Sequence, residues 1–217
     1  MIQHNDYFDL LKNNREWASE KLKSDPSYFK ELGLPQKPKF LVIGCSDSRV
    51  PITSIIESEP GEIFVHSNIA NQVNLTDINL LSIIEYSVEI LNIEHIIVLG
   101  HYKCGGVKAA VEGLNEEDIV ENWVSQISDL YHLHRRELEL IPDKGKMYDR
   151  LSEMNVVVQL KNLLRTPIIQ RAFRKKKKLW FHGWIFDIYT GLITDLILPL
   201  DEWKEYDLLP EDYFSAK

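Results

Sequence analysis

Three short, mainly apolar runs constrain this chain more than any other feature: Phe40-Leu41-Val42-Ile43, Ile63-Phe64-Val65-His66 and His95-Ile96-Ile97-Val98-Leu99. Runs of this length without polar alternation suit strands buried on both faces of a sheet. Helical stretches separate them. Pro51 suits the first turn of a short helix through Glu57. Thr76 or Asn74 caps a helix from Asp77 to Leu91, with Leu80, Ile83, Ile84 and Val88 on one face. Gly105-Gly106 opens a helix through Glu112. Two longer helical stretches follow, Glu116 to Leu140 and Met147 to Leu164, and Pro167 breaks the second. Leu179 to Tyr189, the turn Thr190-Gly191 and Leu192 to Leu198 read as a strand pair. Strands alternating with helices predict an α/β fold, a mostly parallel central sheet flanked by helices. Ahead of it, Asp6 to Leu32 predicts an amino-terminal helical arm divided at Pro26. The chain of 217 residues reads as a single domain, with an arm over 1–36, an α/β core over 37–200 and a polar, aromatic tail over 201–217.

In such sheets ligands gather at the carboxyl ends of the strands. Cys45 directly follows the first run, after Gly44, and His101 directly follows the third, after Gly100. Should the two strands be neighbours, both residues reach one crevice. Cys104 comes about one turn later, beside a glycine pair whose backbone N–H groups would stabilise a thiolate. The segments Cys45-Ser46-Asp47-Ser48-Arg49 and His101-Tyr102-Lys103-Cys104 thus offer two thiolates, an imidazole and a carboxylate, the ligand types zinc prefers. Singly, a buried cysteine or a histidine after a strand is ordinary structure; jointly they point to a metal site. A thiol-phosphatase loop would need arginine six positions after the cysteine, where Pro51 and Ala110 stand. A phosphate-binding loop would need GK[ST] after the glycines, which is also absent.

Composition narrows the partners. The formal net charge of -8 argues against nucleic acid or an anionic membrane. The basic run from Arg174 to Lys178 reads as a solvated helix end or turn. No apolar stretch reaches membrane-spanning length, and the first residues lack the pattern of a secretory leader. A cytoplasmic location is therefore expected, where two cysteines 59 positions apart serve metal or catalysis rather than a crosslink.

CSDSR and HYKCGG, which begins 52 residues after Arg49, resemble the two metal-binding motifs of the β-class carbonic anhydrases. EPGEIFVH, SNIAN, HIIVLGHYKCGGV, NWV, LSEMNVVVQ and FHGWIFDIYTG are similar to that family in order and spacing, so the likeness runs from Leu10 to Leu198. The resemblance implies a zinc lyase for carbon dioxide and bicarbonate, with one zinc per chain on Cys45, His101 and Cys104. It implies an Asp47–Arg49 dyad, a substrate-lining set of Val50, Tyr86, Gly105 and Gly106, and a homodimer or homotetramer in which the arm embraces a partner subunit. One branch of the family carries a noncatalytic bicarbonate pocket of Trp, Arg and Tyr. Val42, Ser67 and Phe186 stand there in this chain, so that regulation is expected to be missing.

Charge suggests how such a site works. Three protein ligands leave a position for water, whereas four close the site. Asp47 closes it when it binds zinc and opens it when Arg49 holds its carboxylate bidentately. In the open state a zinc-bound hydroxide would attack carbon dioxide, with Asp47 orienting it. Two thiolates cancel the metal's charge, so this hydroxide is expected mainly above neutrality. Any of His66, His95, His132, His134 and His182 could carry protons. Two alternatives share the residues: a noncatalytic structural zinc site, and a hydrolase of carbon disulfide or carbonyl sulfide.

Overall fold

The structure, a computed structural model, describes residues 4–114 and 118–213. The chain forms two compact units, residues 1–37 and 38–217. The first holds α1 (His4–Ser24) and α2 (Tyr28–Leu32). Pro26 falls in the break between them, as expected from its missing N–H. Trp17 packs edge-on against Tyr28 and Phe29 and ties the two helices together. Tyr7, Phe8, Leu10 and Leu11 remain exposed.

The second unit is built on a five-stranded sheet. Its strands are β1 (Phe40–Cys45), β2 (Ile63–Asn68), β3 (His95–His101), β4 (Trp180–Asp187) and β5 (Leu192–Asp195), in the spatial order β2-β1-β3-β4-β5. The first four run parallel and only β5 is antiparallel, paired to β4. β1 is the earliest strand, and the chain leaves it to build β2 on one side and β3 on the other. The crevice beyond the carboxyl ends of β1 and β3 is thus a topological switch point.

The helices are α3 (Ile52–Ile55), α4 (Ile78–Glu85), α5 (Gly105–Glu112), α6 (Asp118–Leu133), α7 (Arg135–Leu138), α8 (Lys144–Arg165), α9 (Pro167–Arg174) and α10 (Leu200–Glu205). One sheet face, with Leu41, Ile43, Ile96, Val98 and Ile185, is buried against Val156, Leu160 and Leu163 of α8, Ile169 of α9 and Trp203 of α10. The other, with Val42, Ile97, Leu99 and Phe186, packs against Val50 and Ile52. A third apolar cluster from α5, α6, α7 and α8 reaches the carboxyl ends of the strands and includes Cys45 and Cys104.

Several local expectations shift. Asp77, not Thr76 or Asn74, caps α4: its Oδ1 accepts from the backbone N–H of Asn79 and Leu80. Asn74 instead accepts from the N–H and hydroxyl of Thr76, a side-chain-closed turn. The expected helix to Leu91 turns into a π-helical turn over Tyr86–Ile90, where the Ser87 hydroxyl donates to the Ile83 carbonyl at 2.6 Å. The stretch expected from Glu116 to Leu140 is two helices, because His134 leaves helical geometry at φ -103° and ψ 13°; Glu116 lies outside the described residues. The second strand of the final pair ends at Asp195 rather than Leu198. The tail left without form supplies core: Trp203, Leu209 and Tyr213 are buried, and the Tyr213 hydroxyl accepts the Phe181 N–H at 3.1 Å. The basic run is a helix end and turn, with Lys175 and Lys177 paired to Glu89.

Gly100, next to His101, has no room for a side chain. A Cβ there would stand 2.6 Å from Val156 Cγ2 and 3.1 Å from Ile185 Cδ1. Val156 is β-branched and cannot swing aside freely. Gly100→Ala is expected to destabilise the protein by about 1–3 kcal/mol, the usual cost of overpacking, read from denaturant midpoints. An unchanged midpoint would show that the contact relaxes.

Candidate metal centre

Strand pairing assembles the centre. Gly44 of β1 pairs with Leu99 of β3, so Cys45 and His101 end adjacent strands side by side. The chain then turns at Lys103, and Cys104 caps α5. Sulfur and nitrogen atoms of Cys45, His101 and Cys104 lie within 4.8 Å of one another, and all three residues are buried. The sulfurs are 3.9 Å apart, too far for a disulfide. Two sulfurs at zinc-thiolate distance from one tetrahedral centre would stand about 3.8 Å apart. His101 Nδ1 lies 2.9 Å from the Tyr102 carbonyl, a geometry that places its proton on Nδ1 and leaves Nε2 with a lone pair. Nε2 is buried without a hydrogen-bond partner, the mark of an atom reserved for a ligand. The donor set therefore fits a borderline-soft divalent ion such as zinc.

The electrostatics agree. The Cys45 thiol is pushed down, chiefly by the hydrogen bond from Cys104, and Cys104 is pushed up by the same bond. A cation between the two sulfurs would stabilise both as thiolates. Burial lowers His101, but Cys45, the Tyr102 carbonyl and Asp47 together outweigh it, and the net direction is upward.

Asp47 and Arg49 stand beside this trio. Arg49 Nε donates to Asp47 Oδ1 at 2.9 Å and Nη2 to Oδ2 at 2.7 Å, a fork on a carboxylate. The Arg49 backbone N–H adds a third bond to Oδ1 at 3.0 Å. Oδ2 faces His101 Nε2 at 3.8 Å. The carboxylate is thus held next to the cluster by the arginine.

The turn after β2 contributes what the sequence did not announce. Ala70 and Asn71 adopt φ of 61° and 47°, left-handed values that residues with a Cβ rarely take. The Ala70 N–H lies near enough to Cys45 to help lower its thiol pKa, the weakest of several influences on it. Two buried amides on α8 hold the turn: Asn155 donates to the Ala70 carbonyl at 3.1 Å, and Gln159 accepts the Val73 N–H at 2.7 Å. Nothing about an alanine signals such a role.

The remaining expected residues are distributed unevenly. Val50 is buried just after the dyad, and its N–H donates to the Asp47 carbonyl. Gly106 is the glycine that closeness requires, since a Cβ would meet Ile69 and Ala70 at 2.9 and 3.0 Å. Gly105 is exposed, with nothing within 4 Å of a Cβ built on it. Tyr86 stacks on Phe64. Phe64 pairs with Leu41, four positions before Cys45, so that ring pair lies roughly 13 Å along the sheet within one chain. His95 and His182 are 3.0 Å apart where their strands begin, while His134 pairs with Glu137 on the helical side. His66 is buried in β2 and burial pushes its pKa down.

With fold and site in place, comparison with known proteins agrees. The profile of the carbonic anhydrase family matches residues 40–193. A carbonic anhydrase of Emericella nidulans is 41% identical over 86% of this chain and 82% of its own length. Among solved structures, a tetrameric β-carbonic anhydrase of Sordaria macrospora is 37% identical, with a TM-score of 0.85, covering 89% of this chain and 98% of that one. The β-carbonic anhydrase of Coccomyxa, solved with acetazolamide, is 33% identical with a TM-score of 0.83 over 91% of this chain and 90% of its own. This chain belongs to the carbonic anhydrase family, in its β class.

The Arg49 hydrogen bonds hold Asp47 at about 2, below its ordinary 3.8. A depressed carboxyl pKa gives stability that is full above the ordinary value and is lost as pH falls through about 2. The Asp47 carboxyl carbon is therefore expected to show no titration from about pH 9 to about pH 4 by NMR of metal-free protein. Asp47→Asn should reduce the acid loss of stability in the window between the two values. A titration near neutrality would contradict the pair.

Proposed function

We propose that this chain is a zinc-dependent carbonic anhydrase that interconverts carbon dioxide and bicarbonate, with one zinc per chain on Cys45, His101 and Cys104. The observation that carries the reading is three buried donor atoms at a strand switch point beside a carboxylate held by an arginine fork. When bound, zinc lowers the pKa of a water molecule and supplies a nucleophile near neutral pH. The cysteines supply two negative charges, which temper that acidification relative to a site of neutral histidines.

The other roles follow from the residues. Arg49 engages both oxygens of Asp47 and would keep them from binding a zinc held by Cys45, His101 and Cys104. Asp47 stays ionised and is therefore only an acceptor. Its Oδ2, facing His101, would accept a hydrogen bond from the reacting water and so orient it toward the substrate carbon. Val50, next in sequence to Arg49, belongs to a buried apolar cluster with Leu99 and Phe186, surroundings that suit a nonpolar gas. Val42 and Phe186 belong to that cluster and Ser67 carries no charge, which supports the absence of the noncatalytic bicarbonate pocket. A closed structural site is less well supported, because the fork engages both carboxylate oxygens.

The reading includes a homo-oligomer. Tyr7, Phe8, Leu10 and Leu11 expose apolar surface on the arm, and Val65 does so on the edge strand β2. Such surface is usually covered by a partner. Cytoplasmic location is part of the proposal and is supported by the two free cysteines. No helix among the described residues is long and apolar enough to cross a membrane.

Stopped-flow hydration of carbon dioxide on zinc-quantified protein tests the activity. Expected is a rate proportional to zinc at one per chain, rising with pH. Asp47→Ala should keep zinc and lose about 10- to 100-fold in rate, as for groups that orient what metal ligands present. Full activity in that variant removes Asp47 from the mechanism. Zinc-loaded protein inactive on carbon dioxide at every pH would point to a structural site, or to carbon disulfide or carbonyl sulfide if those are turned over. For the assembly, light scattering of a Phe8→Asp, Leu11→Asp double variant should show a smaller particle than the parent. An unchanged mass would exclude the arm from the interface.

A further inference from the structure

Lys103 sits between His101 and Cys104, with its backbone at a left-handed φ of 58°. A residue with a Cβ keeps that conformation only where its surroundings enforce it. Asp149, on the second turn of α8, does so from 46 positions away. Its Oδ1 accepts the Lys103 backbone N–H at 3.0 Å. Its Oδ2 pairs with Lys103 Nζ at 3.3 Å. On the other side of the same residue, the Lys103 carbonyl accepts from Arg49 Nη2 at 3.2 Å. That nitrogen is also the donor to Asp47 Oδ2 at 2.7 Å.

We infer that Asp149 is a positioning residue for the Asp47–Arg49 dyad. By gripping the Lys103 peptide, it keeps the neighbouring carbonyl where it shares Arg49 Nη2. The guanidinium then has anchors on two sides, and its plane is set to hold Asp47 away from the metal's fourth position. This inference rests on the anhydrase reading for what the dyad does, and on contacts of this chain alone for what Asp149 does. The two oxygens of Asp149 have separable roles. The bond to the N–H fixes the turn, whereas the pair with the half-exposed ammonium is a solvent-screened ion pair and matters less. An asparagine keeps an oxygen for the N–H, and a leucine does not.

The test uses full-length protein loaded with cobalt and titrated with azide, followed by the visible spectrum. Azide reports access to the fourth ligand position, not catalysis. Asp149→Leu is expected to retain one metal per chain and bind azide about tenfold more weakly, as Asp47 competes for the position. Asp149→Asn should bind azide nearly as the parent does. Parent-like azide binding in Asp149→Leu would overturn the inference, as would equal weakening in both variants, which would assign the effect to charge. Should Asp149→Leu not fold, amide hydrogen exchange in the parent protein decides instead. The Lys103 N–H is expected to be strongly protected with and without metal; exchange at an unprotected rate would refute the grip. A parent protein that takes up no cobalt or zinc refutes the anhydrase reading, while the exchange measurement still judges the grip.

Discussion

The parallel pairing of β1 with β3 is the constraint on which the rest depends. The segment between the two strands holds β2 as well as helices and turns, and their ladder brings Cys45 beside His101. Slipping the register by one residue would turn every side chain of β1 to the opposite face. The apolar residues of β1 are buried on both faces, so their packing locks the ladder. The metal-binding geometry is thus inherited from a hydrophobic fit, and a ligand position follows from how isoleucine and valine interdigitate several residues upstream.

Burial then imposes a charge problem. Two cysteines and a histidine lie at the edge of an apolar cluster, where unpaired thiolates are costly. A hydrogen bond between the sulfurs eases that cost. A divalent ion relieves it more completely. Asp47 adds a further negative charge close by, and Arg49 neutralises it through a planar fork that lysine could not offer. The site keeps a carboxylate near a cation without surrendering it as a ligand.

α8 is the hidden support of the centre. It packs its apolar face on the sheet, yet its polar side chains pin two left-handed turns. Asn155 and Gln159 hold the Ala70 turn, and Asp149 holds Lys103. Buried amides that satisfy one another are rigid, because each broken bond would leave a desolvated polar group behind. These contacts sustain the left-handed backbone at Ala70, Asn71 and Lys103.

Much of this was legible in the chain itself. Short buried runs such as Phe40–Ile43 announce strands, because only a sheet with both faces covered accepts them. Cysteine, histidine, aspartate and arginine at the strand ends announce the chemistry of the site, because few residue types bind zinc. Helix ends were less legible: Asp77 rather than Thr76 caps α4, a choice among neighbours of similar propensity that depends on where the first turn lands. The burial of Tyr213 was not legible, since a polar, aromatic tail carries no periodicity. The support of the centre by Asn155, Gln159 and Asp149 was also hidden, because each contact joins residues far apart in sequence. Local patterning determined which elements form and which atoms can bind a metal. Only tertiary packing decided which carbonyls, amides and side chains face those atoms, since long-range hydrogen bonds leave no trace in the spacing of residues along one strand or helix.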